Sequence, residues 1–228
     1  MREPWPERGA SAAGIVTVCR RLYERGLIAG GEGNVSVRIA EDRILATPAG
    51  LSKVDVGEGD LVEVGGDGRH LSGVRRVSTE IAMHLRLYAR RPDVRAVVHA
   101  HPPTATGFAL AGEDFMAGVL PEVIFGLGPV PLVPYGMPGT PELADRLEAF
   151  AAGHDVFLLA NHGATACGPT LALAHQRMES LEQAARIMLA ARLLGRVTPL
   201  APAQVQALLD ARARGGGRDD APAQVEGE

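Results

Sequence analysis

Lysine is almost missing from this chain: of 23 Lys and Arg residues, Lys53 is the one lysine. Carbonyl chemistry through a Schiff base would therefore have a single candidate amine. Cysteine is nearly as scarce. Cys19 and Cys167 stand far apart with no CxxC and no disulfide-framework spacing. They read as small buried hydrophobes in a reducing compartment, and neither as a nucleophile. Long apolar runs are absent too. Val156 to Ala160 falls far short of the roughly 20 residues that span a bilayer, and the chain opens with Arg2, Glu3, Pro4 and Trp5 rather than an apolar signal core. Neither sign of charge dominates, with 23 basic against 27 acidic residues interspersed and a net charge of −4. A nucleic-acid or anionic-membrane partner would need a basic footprint that this chain lacks. The expectation is a soluble cytoplasmic protein with a small-molecule substrate.

What is present is enough for one domain: 228 residues, 46% apolar, with no internal repeat. Ser11 to Gly26 carries Ile15, Val18, Cys19 and Leu22 at helical spacing. Val35, Val37 and Ile39 alternate with Ser36 and Arg38 as in a half-buried strand, and Ile44 to Thr47 follows as another. Leu61 to Val64 and His70 to Leu71 flank Gly65-Gly66-Asp67-Gly68 as a hairpin would. The spacing predicts a helix over Ser78 to Arg90, with Ser78 as cap and Glu80 in its opening turn. Strands are expected over Asp93 to His101, Val130 to Pro134 and Val156 to Ala160. Helices are expected over Pro141 to Ala151 and, capped by Thr170, from Thr170 to Leu194. This order suits a mostly antiparallel sheet covered by helices, over residues 1–214. The Gly-, Asp-, Pro- and Ala-rich stretch 215–228 reads as a disordered tail.

The chemistry concentrates at strand ends. His99-Ala100-His101 closes an apolar strand, and with a side-chain period of two both rings point to one face and can converge on one ion. Pro102 and Pro103 then end the ladder. His162 follows a second core strand and precedes Gly163, whose missing side chain allows close backbone approach or an unusual dihedral. It supplies a third nitrogen of the kind catalytic zinc sites use. His70, His84, His154 and His175 read as structural or solvated. Gly33-Asn34, Thr47-Pro48-Ala49-Gly50 and Ser78-Thr79 offer backbone N–H groups and hydroxyls suited to a phosphate monoester.

As an ordered set, these stretches resemble the class II aldolase/adducin family. The set comprises Gly33 to Arg38, Thr47 to Gly50, Ser78-Thr79-Glu80, His99-Ala100-His101, Pro134-Tyr135 with Gly139-Thr140, and Asn161-His162-Gly163. The resemblance runs from about Ala10 to Gly195. It implies a three-layer α/β/α sandwich and a homotetramer with active sites between subunits. It also implies one Zn²⁺ per subunit on His99, His101 and His162. Glu80 would ligate zinc at rest and act as the acid/base. Asn34, Thr47, Gly50, Ser78 and Thr79 would hold the substrate phosphate.

The reaction the resemblance implies first is aldol cleavage of a ketose 1-phosphate, such as L-fuculose 1-phosphate, to dihydroxyacetone phosphate and an aldehyde. Such chemistry passes through an enediolate, whose charge needs a Lewis acid or a Schiff base. One residue of the aldolase pattern is missing. A tyrosine after the HxH strand serves the aldehyde oxygen in the family, and this chain has no tyrosine between Tyr88 and Tyr135. Glu122 or a group from the tail would have to replace it. The same fold also hosts ribulose-phosphate 4-epimerases, which tend to carry Asp in place of Glu80, as well as methylthioribulose-phosphate dehydratases and oxo-acid phosphate decarboxylases. An adducin-like interaction module without a metal is the alternative of another class, and the intact Glu80, His99, His101 and His162 weigh against it.

Overall fold

The structure, a computed structural model, describes residues 4–113 and 118–215. The chain begins with α1 (Arg8–Glu24), which buries Ile15, Val18, Cys19 and Leu22. Next come β1 (Asn34–Ala40), β2 (Arg43–Ala46), and the hairpin of β3 (Val62–Val64) and β4 (His70–Ser72). Helix α2 (Ile81–Arg90) then leads to β5 (Ala96–Ala100). After α3 (Pro103–Ala111), α4 (Pro121–Gly126), β6 (Leu132–Val133) and α5 (Pro141–Glu148) come β7 (Val156–Leu159) and β8 (Gly163–Gly168). The long α6 (Leu171–Leu193) and α7 (Pro202–Gly215) complete it.

All eight strands form one sheet in the order β4-β3-β2-β1-β5-β8-β7-β6, antiparallel at every pair except β6 and β7. Strand alternation divides the core in two. Ala96, Val98 and Ala100 of β5 face the layer that holds α1, α3 and α6, with Ile15, Phe108 and Met178. Val97 faces the other layer, with Met83 and Leu87 of α2 and Leu143 and Leu147 of α5. Helices cover both faces, so the fold is the expected α/β/α sandwich. Each fully buried Leu or Phe in it contributes roughly 1.5–3 kcal/mol.

Several local readings need correction. The helix expected from Ser78 begins at Ile81, with Glu80 at its N-cap position. Ser78 Oγ instead accepts the Glu80 N–H at 3.3 Å, a local turn that leaves the Glu80 side chain free to point elsewhere. His101 lies one residue past the end of β5. The strand expected over Val130 to Pro134 shortens to two residues. Four elements were not expected: β8, α3, α4 and α7. Strand β8 reads Gly-Ala-Thr-Ala-Cys-Gly, too poor in branched and aromatic side chains to announce a strand, yet every residue of it is buried. Helix α3 follows directly on the two prolines, because Pro103 takes the first helical position, where no N–H is needed. Its free N–H groups go to a carboxylate on another helix: Glu182 of α6 accepts from Thr104 N at 3.0 Å, Ala105 N at 3.0 Å and Thr104 Oγ1 at 2.9 Å. Thr170 caps α6 as expected, accepting from Leu173 N at 3.2 Å.

At the sheet end away from the histidines, Asp155 gathers three guanidiniums: Arg91 at 2.8 Å, Arg177 at 2.7 Å and Arg212 of α7 at 3.0 Å. Arg212 also donates to Phe125 O at 2.5 Å, so α7 is tied to both α4 and the start of β7. Among the residues read as a tail, Gly215 ends α7. Residues 216–228 lie outside the described ones.

Candidate metal centre

Strands β5 and β7 both pair antiparallel with β8, so they run the same way and end at the same edge of the sheet. That topology brings His99 and His101, at the end of β5, to His162, just past β7. The three rings form a triangle with centroid separations of 5.1, 4.8 and 5.1 Å. One nitrogen of each lies within 4.8 Å of the others. The turn that delivers His162 places Asn161 in the left-handed region at φ 57°. Gly163 is required by contact: a Cβ there would sit 2.6 Å from Ala100 O and 2.6 Å from His101 Cδ2.

Hydrogen bonds set the tautomers. His99 Nδ1 donates to Ala164 O at 2.9 Å, leaving the Nε2 lone pair to face inward. His101 Nδ1 lies 3.3 Å from Glu32 Oε2, which again leaves Nε2 facing the centre. The two Nε2 atoms are 3.3 Å apart. Lone pairs turned toward each other at that distance repel unless a cation or a proton lies between them. Burial pushes His99 down to about 3, so the ring is neutral, as a ligand must be. His162 Nε2 faces Glu80 Oε1 at 3.1 Å, and its Nδ1 is buried without a hydrogen-bond partner among the described residues. Three imidazoles with an adjacent carboxylate form a donor set that fits a zinc-type ion.

Glu80 projects from the head of α2 into this triangle, its Oε2 3.4 Å from His99 Nε2. Burial alone would raise its carboxyl. The facing His99 and His162 and the Asn34 amide outweigh burial and hold it well below the ordinary range.

The residues expected to bind phosphate lie side by side beyond Glu80. Pro48 bridges Val77, Ala49 N donates to Arg76 O at 2.9 Å, and Ser78 N donates to Thr47 O at 3.2 Å, so the Thr47–Gly50 turn runs along Ser78 and Thr79. Gly50 has φ +71°, and both it and Thr79 are exposed. Thr47 is buried and its hydroxyl accepts Val35 N–H at 3.1 Å, keeping its own proton to donate. Asn34 is also buried, and its Nδ2 donates to Glu80 Oε2 at 2.7 Å.

Lys53 is buried with its ammonium on Gly31 O and Leu51 O, both at 2.9 Å. It ties two loops together instead of presenting a free amine. Burial pushes both thiols up to about 12, in keeping with inert core cysteines. Glu122 sits in the first turn of α4 and lines a cavity of about 430 Å³ with Arg25, Leu27, Glu179 and Arg186. Sequence reasoning missed Glu32, the partner of His101. It also missed His84, read as structural, which is buried against Asn34.

The sequence profile of the class II aldolase and adducin N-terminal domain matches residues 13–189. The chain belongs to that family. It is 36% identical over 178 residues to the 3-oxo-tetronate 4-phosphate decarboxylase of Escherichia coli strain K12, covering 76% of this chain and 84% of that one. It is also 36% identical over 172 residues to the 5-methylthioribulose-1-phosphate/5-deoxyribulose-1-phosphate aldolase of Rhodospirillum rubrum, covering 75% and 77%. A solved L-fuculose 1-phosphate aldolase superposes with a TM-score of 0.84 at 28% identity, covering 91% of this chain and 97% of that one. Class II aldolase architecture thus accounts for the sandwich and for the histidine edge.

Proposed function

We propose that the protein is a metal-dependent carbon–carbon lyase acting on a small phosphorylated ketone, and that its reaction is decarboxylation of a 3-oxo acid phosphate. The missing phenol carries the choice between decarboxylation and aldol cleavage. In aldol cleavage a hydroxyl must give up its proton as the carbon–carbon bond breaks, and a nearby acid/base has to take it. A carboxylate has no proton to give, so carbon dioxide departs without that group. The chain's three tyrosines are Tyr23, Tyr88 and Tyr135. Tyr23 lies near the end of α1, Tyr88 is buried under β1, and Tyr135 is half exposed after β6. The segment where the aldolase pattern has its tyrosine contains none. The likeness to the Escherichia coli decarboxylase supports the same choice, whereas the sequence pattern had ranked the aldolase first.

His99, His101 and His162 would hold the ion, with Glu80 beside it. A divalent ion there supplies Lewis-acid stabilisation of negative charge on the ketone oxygen. The rest falls to the chain's own groups. The bond between the carboxyl carbon and its neighbour breaks, its electron pair stays on the carbon next to the ketone, and a proton returns to that carbon. That proton comes from solvent, and Glu80, ionised at rest, would relay it by taking it up and passing it to the carbon. Asn34, Thr47, Gly50, Ser78 and Thr79 bind the phosphate and fix the register of the substrate. A homotetramer with active sites between subunits completes the proposal.

The aldolase reading is kept because the Rhodospirillum rubrum relative, named as an aldolase, is also 36% identical, over a slightly shorter stretch. Incubation of zinc-loaded protein with 3-oxo-tetronate 4-phosphate and, in parallel, with L-fuculose 1-phosphate separates the two. Release of carbon dioxide with dihydroxyacetone phosphate from the first supports decarboxylation. Faster aldehyde release from the second reverses the choice.

A further inference from the structure

We propose that His84 is a positioning residue for Glu80, acting through the Asn34 side-chain amide from within a buried, one-way chain of hydrogen bonds that begins at Tyr88. The inference rests on the reading of Glu80 as the proton-transfer group. Tyr88 Oη lies 2.8 Å from Ser36 Oγ, Ser36 Oγ 2.7 Å from His84 Nδ1, His84 Nε2 2.5 Å from Asn34 Oδ1, and Asn34 Nδ2 2.7 Å from Glu80 Oε2. Tyr88, Ser36, His84 and Asn34 are all buried. The secondary structure explains the alignment. Glu80, His84 and Tyr88 are four residues apart and share one stripe of α2, while Asn34 and Ser36 are two apart and share one face of β1.

The direction of the chain follows from its acidic end. An amide NH₂ group can only donate, and Asn34 turns its own toward Glu80 Oε2 and its carbonyl toward His84. His84 Nε2 must then carry the hydrogen. Burial pushes His84 down to about 4, so the ring is neutral and Nδ1 is an acceptor. Ser36 donates to Nδ1 and accepts from Tyr88. Each donor is used once and no acceptor faces another.

This gives His84 a specific task. An asparagine amide is nearly symmetric in shape, and rotating it by half a turn would present Oδ1 to the Glu80 carboxylate, an oxygen facing an oxygen in a buried site. The His84 N–H stabilises only the orientation in which Asn34 donates. Asn34 also pairs with His99 across the β1–β5 ladder, so the group that orients Glu80 is held by the strand that carries a metal ligand. Partners that orient the groups around a metal typically matter by about 10–100-fold in metal affinity or activity.

The test uses wild-type protein, His84→Leu and His84→Gln. In the metal-free wild type, long-range proton–nitrogen NMR should report His84 as the Nε2–H tautomer. The Nδ1–H tautomer would reverse the chain and overturn the proposal, whether or not any variant folds. With Co²⁺ in place of zinc, His84→Leu should alter the visible ligand-field spectrum and lower kcat by about 10–100-fold. His84→Gln, which offers both a donor and an acceptor, should restore most of both. A His84→Leu protein with wild-type spectrum and kcat contradicts the proposal, as does a folded His84→Gln no better than His84→Leu. If the wild type turns over neither candidate substrate while His84→Leu still changes the Co²⁺ spectrum, the proposed reaction fails and the positioning role stands.

Discussion

His99 and His101 turn their Nε2 atoms toward each other at 3.3 Å, while each Nδ1 has a partner on its outer side. Elemental analysis of purified protein should therefore find about one zinc per chain. His99→Ala or His162→Ala should empty the site. Full metal content in both variants would place the ion elsewhere.

Glu80 lies beside the imidazoles and is held below its usual range by charge and hydrogen bonds, so its loss should separate chemistry from metal binding. Glu80→Gln is expected to keep its zinc on three histidines and to lose about 10²–10⁴-fold in turnover. Zinc loss together with turnover would make Glu80 chiefly a ligand. Unchanged turnover would remove it from the reaction.

The contact of Gly163 with Ala100 O and His101 is a packing constraint with a functional readout. Gly163→Ala must displace either the β5 backbone or the His101 ring, because a Cβ at 2.6 Å from both cannot be accommodated. Denaturant unfolding should show a loss of about 1–3 kcal/mol, and titration should show weaker zinc binding. Normal stability with normal zinc affinity would refute the contact.

Acid should weaken the metal-free protein through His84. Its folded pKa is depressed from 6.5 to about 4, so between those values the unfolded chain binds a proton that the folded one refuses. Stability is then fully present above about pH 6.5 and falls as the pH drops toward 4, by about 3 kcal/mol from this group. Urea unfolding at pH 7 and pH 4.5 measures it. The difference between the two should shrink in His84→Gln, and an equal difference would assign the acid sensitivity to other groups.

Asp155 offsets three arginines at the opposite end of the sheet. Asp155→Asn should cost about 3–5 kcal/mol by leaving partly buried guanidiniums without a counter-charge. It should also expose α7 to proteolysis, while zinc content stays normal. Loss of zinc in this variant would couple the two ends of the sheet.

The features legible in the sequence were those with a strong local period or fixed chemistry. Val35, Val37 and Ile39 announce β1, and a period of two aims His99 and His101 at one ion even though His101 lies past the last ladder residue. Other features were hidden for physical reasons. Strand β8 is built of small residues, with α6 packed so closely on it that a Cβ at Gly168 would lie 3.1 Å from Arg177 Nη1 and 3.5 Å from Ala174 N, so it lacks the branched alternation by which strands are read. The start of α2 was misplaced because Ser78 and Thr79 look like a cap but form a turn that releases Glu80. His84 looked structural because its importance lies in its partners. The stripe of Glu80, His84 and Tyr88 against Asn34 and Ser36 was present in the spacing, but pairing the two stripes requires knowing that α2 packs over β1.

The central claim is that this site lowers the barrier to a carbon acid next to a phosphorylated ketone, and hydrogen exchange measures that step without any cleavage. Dihydroxyacetone phosphate incubated in D₂O with zinc-loaded protein should exchange a proton on its hydroxymethyl carbon. Exchange should stop with a chelator and fall in Glu80→Gln, while wild-type rates return when zinc is restored. No exchange with zinc bound to His99, His101 and His162, or exchange that survives complete removal of the metal, would contradict the account.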